Sequence, residues 1–116
     1  MHKTALFGLL IACSLTAGAK DDEPTAARIA AQNALFEEQY QADLKAHPER
    51  ATAVGDYRYN DQLEDFSPAA YQRQEAADQS FLSRLNAIST AGFPEQDKLS
   101  HEVMQRSLTQ RVANFK

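Results

Sequence analysis

The chain has 116 residues, 43% hydrophobic and 24% charged, with four Gly and four Pro, which excludes a disordered or fibrous protein and allows one domain at most. Its formal charge of −4 is interspersed along the chain with no clustered basic face, which argues against a nucleic-acid partner because phosphate neutralisation needs such a face. Cys13 is the single cysteine, so neither an intrachain disulfide nor a cysteine-held metal cluster can form.

Met1, His2 and Lys3 make a short positive n-region before an uncharged apolar run, Ala5 to Leu15, of signal-peptide length and too short to span a bilayer. Two processing sites compete. Ala17-Gly18-Ala19 followed by Lys20 is a small-x-small site, and the acidic residues 21–23 beyond it suit the start of a mature chain. Leu10-Ile11-Ala12-Cys13 has the form of a lipobox, in which Cys13 would be lipidated, but the apolar region before it is short. The expectation is a signal peptide over 1–19 cleaved between Ala19 and Lys20, giving a periplasmic or secreted protein. The alternative is a lipoprotein anchored to the membrane at Cys13. Cleavage after Ala19 removes Lys3 alone among the charged residues and leaves 97 residues with 11 basic and 16 acidic side chains, a formal charge of −5. A body of that size buries roughly 60–65% of its unfolded surface, with little room for a deep enclosed pocket.

Residues 20–25 read as a flexible polar leader, with Thr25 the expected N-cap of a first helix from Ala26 to His47. Ile29, Phe36, Tyr40 and Leu44 form its apolar stripe, and Pro48 stops it. Residues 48–66 hold a short turn of helix at most, followed by the turn formers Gly55-Asp56 and Asn60-Asp61, and so predict a loop. This loop carries Tyr57, Tyr59 and Phe66, unusual for a solvated linker. Ser67-Pro68 starts a second helix running to Ile88, with Tyr71, Phe81, Leu85 and Ile88, and Gln74 and Ala77 between them, on its inner face, and Ala91-Gly92 breaks it. Pro94, Glu95 and Asp97 open a third helix with Leu99, Val103, Leu108, Val112 and Phe115 as its apolar side. The expected fold is all-α, three main helices in antiparallel arrangement. The last helix is still in period at Phe115 with no capping Gly, Asn or Pro after it, which predicts that residues 26–116 are the N-terminal region of a larger helical protein.

His101-Glu102-Val103-Met104-Gln105 approaches the zinc-peptidase helix, in which two His four apart face the metal beside a Glu base, but Gln105 replaces the second ligand. It reads as a chance match on a solvated helix face. His47 is expected to meet exposed carbonyls at a helix C-terminus. Asp56, Arg58, Tyr59 and Asp61 could form a polar cluster; pinning their own loop is the plainer role, and contact with a substrate or partner through Asp56, Arg58 and Tyr59 the sharper one. No phosphate loop, Gly-x-Ser-x-Gly elbow or fixed carboxylate pair occurs, so no catalytic, cofactor or metal residue is expected in the chain.

The stretch Pro48-Glu49-Arg50-Ala51-Thr52-Ala53-Val54-Gly55-Asp56-Tyr57-Arg58-Tyr59-Asn60-Asp61, with Asp65-Phe66-Ser67-Pro68 after it, resembles the N-terminal region of the bacterial family called domain of unknown function 885. The resemblance covers residues 30–116 and implies a much longer, largely helical protein similar to zinc metallopeptidases, with zinc held by a His-Glu-x-x-His helix far downstream. His101-Glu102 is not the counterpart of that helix. The implied partners are the remainder of the parent protein and a peptide substrate. Against this stands a stand-alone periplasmic or lipid-anchored helical binding module, touching the membrane only through its lipid.

Overall fold

A computed structural model describes residues 23–116. The expected signal peptide, its Ala19–Lys20 cleavage point, the alternative lipid site at Cys13 and the first residues of the leader lie outside the described residues. The described part is all-α: α1 (Thr25–Ala46), α2 (Pro48–Ala53), a 3-10 turn (Tyr57–Tyr59), α3 (Pro68–Asn86) and α4 (Glu95–Asn114). Among these residues no helix is long and apolar enough to cross a membrane.

Local chemistry sets the ends of the helices. Ser67 caps α3 by accepting a hydrogen bond from Ala70 N at 3.2 Å, with Pro68 at the first helical position as its missing N–H allows. Glu95 and Asp97 in the first turn of α4 complement its dipole. The expected cap at Thr25 does not form. Pro24 occupies the cap position with only its carbonyl engaged, and Thr25 Oγ1 instead accepts from Arg28 Nη2 at 3.1 Å. Pro48 ends α1 and at once starts α2, because a proline that cannot continue one helix is suited to the first turn of the next. Gly55 at φ +89° closes α2 and Gly92 at φ +75° turns the chain into α4, both in the left-handed region that only glycine enters freely.

The three long helices run up, down, up. Along α1 the partners in and after α3 descend, from Ser89 and Ala91 at Arg28 to Arg84 at Glu38, so these two helices are antiparallel. Asn86 pairs with Gln105 and Asp78 with Arg111, so α3 and α4 are also antiparallel. Gln32 meets His101 and Asp43 meets Arg111, which makes α1 and α4 parallel. At the centre Leu35, Phe81, Leu85 and Leu108 pack together, with Phe36, Ala77, Leu82, Ile88 and Met104 against them. Each such fully buried leucine contributes about 2 kcal/mol of transfer free energy.

The buried faces are displaced from the expected stripes because polar residues share them. In α1 the buried positions are Arg28, Gln32, Leu35, Asp43 and Leu44, whereas Tyr40 is exposed. In α3 Asp78 joins Phe81 and Leu85, and Tyr71 is exposed. In α4 His101 and Leu108 are buried, whereas Leu99 and Val103 face outward. An apolar period cannot register a buried position held by an amide, a carboxylate or an imidazole.

Candidate functional site

The last turns of α1, the first half of α3 and the extended segment 62–66 enclose an open cleft of about 440 Å³. Its floor is built from small or apolar residues, Ala42, Ala46, Ala70, Ala77 and Phe81. Over it, segment 62–66 is strapped down by polar contacts. Glu64 accepts at Oε1 from His47 Nδ1 at 2.7 Å and donates its backbone N–H to both carboxylate oxygens of Glu49 at 3.2 Å. Asp65 accepts from Ser67 N at 2.9 Å and from Arg73 Nη2 at 3.0 Å. The Ser67 N–H above all, and the Arg73 guanidinium after it, hold the Asp65 carboxyl below its usual range.

Beside the cleft lies a charge network that joins all three long helices. Arg111 of α4 grips Asp78 with two parallel bonds, Nε to Oδ2 and Nη2 to Oδ1, both 2.9 Å, and its Nη1 lies 3.3 Å from Asp43 Oδ1. Asp78, only 1% exposed, also accepts from Gln74 Nε2 at 3.0 Å, and Asp43 accepts from Arg50 of α2. His47 Nε2 stands 3.8 Å from Asp43, so its ring bridges α1 to the strap rather than meeting helix-end carbonyls as the sequence suggests. Each buried carboxylate is paired, and among the described residues no buried side-chain polar atom lacks a hydrogen-bond partner. The arrangement positions helices and shapes a cleft.

Asp56, Arg58 and Tyr59 sit apart from this cleft. Asp56 accepts from the Arg58 backbone N–H and guanidinium, Arg58 Nη2 also reaches Gln41 Oε1 at 2.6 Å, and the guanidinium carbon lies 5.4 Å from the centre of the Tyr59 ring. The hydrogen bond to Arg58 lowers the Asp56 pKa, and the same bond raises that of Arg58. The cluster fastens its own loop to α1, while Asp61 is exposed. The quoted motif thus has a structural task at most positions: Ala51 is buried, Thr52 Oγ1 donates to Pro48 O, Gly55 takes positive φ, Asp56 caps the 3-10 turn and Ser67 caps α3.

His101 departs from the expected solvated face. It is buried, with Nδ1 2.7 Å from Gln32 Oε1, and burial lowers its pKa against a smaller opposing effect of Glu102. Gln105 donates to Asn86 Oδ1 at 2.7 Å, and Glu102 points to solvent. His101 and Gln105 thus serve contacts with different helices, His101 with α1 and Gln105 with α3. Among the described residues no group of three or more His, Cys, Asp or Glu could hold a metal ion.

The class of protein defined by these features is a small up-down-up helical assembly with a polar seam and a lateral cleft. The family model described as "Bacterial protein of unknown function (DUF885)" matches residues 48–116, more than half of the chain, and the chain belongs to this family. No curated protein and no solved structure matches it.

Sequence reasoning passed over Asp43, Asp78, Arg111 and Gln32. The available signal was a common register: Gln74, Asp78, Phe81 and Leu85 in α3 and Asp97, His101, Met104, Leu108 and Arg111 in α4 are each spaced by three or four, with polar residues inside an otherwise apolar seam.

Proposed function

We propose that this chain is the N-terminal helical portion of an exported, zinc-metallopeptidase-like protein, with no catalytic residue of its own, and that it forms one wall of that protein's substrate path. The observation that carries the reading is apolar surface left uncovered in two places. Leu63 and Phe66 at the cleft mouth are 84% and 68% exposed, with Tyr71 beside them, and Leu99 and Val103 lie one turn apart on the outer side of α4. Apolar groups grouped in this way fit a covering partner, and the remainder of a longer family protein is the partner of choice. A peptide substrate would pass along the cleft, and zinc would be held by the remainder. Export rests on the positive start and apolar run of residues 1–15 and on the small residues before Lys20.

Reading the coding DNA beyond the Lys116 codon tests this directly. A continuation in frame carrying His-Glu-x-x-His is the expected result. A stop codon with no such motif downstream overturns the reading in favour of a stand-alone periplasmic or lipid-anchored binding module, for which the cleft would be the binding site.

A further inference from the structure

The charged groups that line the cleft are matched within the chain, with one exception. Asp43 is held by Arg50 and Arg111, Asp78 by Arg111 and Gln74, Glu64 by His47, and Asp65 by Arg73. Lys45 also lines the cleft and is exposed, and it forms no ion pair among the described residues. It lies three positions after Ala42 in α1, and residues so spaced are neighbours on one side of a helix. A free cation therefore stands beside the small-residue floor.

This pattern selects among the parts of a peptide. An ammonium group, whether a chain's N-terminus or a lysine side chain, would give up water for a wall whose four carboxylates already have partners. A carboxylate finds Lys45. The floor residues Ala42, Ala46, Ala70 and Ala77 are too small to fill the space of about 440 Å³ beside Phe81, and burying a bulky apolar side chain against them is favourable. Gln39 and Gln62 line the cleft as well, and their amides make no hydrogen bond among the described residues. Each can both donate and accept, as the groups of a peptide backbone require.

We propose that the cleft takes the C-terminal end of an extended peptide whose last residue is bulky and apolar, with its side chain on the alanine floor and its terminal carboxylate at Lys45. The inference rests on the reading of the cleft as a peptide path, and it names the part of the peptide that the path receives. The two contacts differ in weight. An ion pair at an open rim contributes a few-fold in affinity at most, whereas burial of a large apolar side chain contributes about tenfold or more. The floor therefore supplies most of the affinity and Lys45 sets the direction in which the peptide lies.

NMR titration of the full chain with short blocked peptides reads both contacts. Acetyl-Gly-Gly-Phe as the free acid should shift the backbone signals of Ala42, Ala46, Ala70 and Ala77 saturably. Ending the peptide in Ala should weaken binding by about tenfold, and replacing the terminal carboxylate by an amide should weaken it by about threefold. Lys45→Gln, at an exposed position that leaves the fold intact, should bring the acid down to the affinity of the amide and leave the amide unchanged. Ala46→Leu, which fills part of the floor, should weaken acid and amide alike. The proposal is overturned by an absence of saturable shifts, by an amide that binds the wild-type chain as tightly as the acid, or by hexanoate binding as tightly as the peptide. Each of these results leaves the family protein's identity as an exported peptidase to the coding DNA. A stop codon after Lys116 with binding retained would overturn that identity and keep the cleft's preference.

Discussion

Asp78 shows at the scale of one residue how this chain stabilises a charge inside a small core. Its carboxylate is surrounded by three donors from two side chains, two on Arg111 and one on Gln74. A buried carboxylate in this position is tolerable only because every lone-pair direction it needs is filled, and removing one partner strands the other. Asp78→Ala should therefore destabilise the chain by about 3 kcal/mol, read from the urea midpoint at unchanged slope. The double variant Asp78→Leu with Arg111→Leu should recover part of that loss, since the stranded guanidinium goes with its partner. A loss within about 0.5 kcal/mol for Asp78→Ala would show the network to be ornamental.

At the scale of the element, α4 separates the two ways of reading an amphipathic helix. Apolar spacing marks Leu99 and Val103 as inner positions, whereas the structure turns them outward and places His101, Met104, Leu108 and Arg111 on the inner seam. Substituting Leu108→Ala should cost about 2–5 kcal/mol, while Val103→Ala should stay within about 0.5 kcal/mol. Thermal unfolding of the two variants side by side checks this, and similar losses for both would mean that α4 is rotated from the position described. The starts of α3 and α4 were legible because Ser67-Pro68 and the acidic first turn after Pro94 act through bonds and dipoles within a few residues. The cap of α1 was not legible, because Thr25 has a competing task, receiving Arg28, that depends on a side chain one turn away.

For the whole molecule, acid acts through two sets of groups. The carboxyls of Glu38, Asp56 and Asp65 have lowered pKa values through Arg84, Arg58, and the Ser67 backbone with Arg73 respectively. A lowered carboxyl pKa contributes stability above the unfolded value, and that contribution is lost as pH falls through the folded value. For these three groups the loss begins near their ordinary values, 4.5 for Glu38 and 3.8 for the two aspartates, and continues below them. His101 acts higher, below 6.5. Chemical denaturation across pH should accordingly show two declines, a first in mild acid that His101→Gln removes and a second in stronger acid that it leaves in place. A single decline confined to strong acid would sink this account.

The sequence by itself determined what depends on near neighbours along the chain: the all-α class, the long helices to within two or three residues at their ends, the glycine turn after α2 and the family to which residues 48–116 belong. Helix propensity, capping and turn geometry act over a few residues, so their signals are written locally. The tertiary structure alone decided which polar residues are buried, that α1 and α4 run parallel, and that Asp43, Asp78 and Arg111 meet beside a cleft. A buried charge is stabilised by a partner brought from another helix, and nothing in the spacing of residues along one helix states where that partner will be.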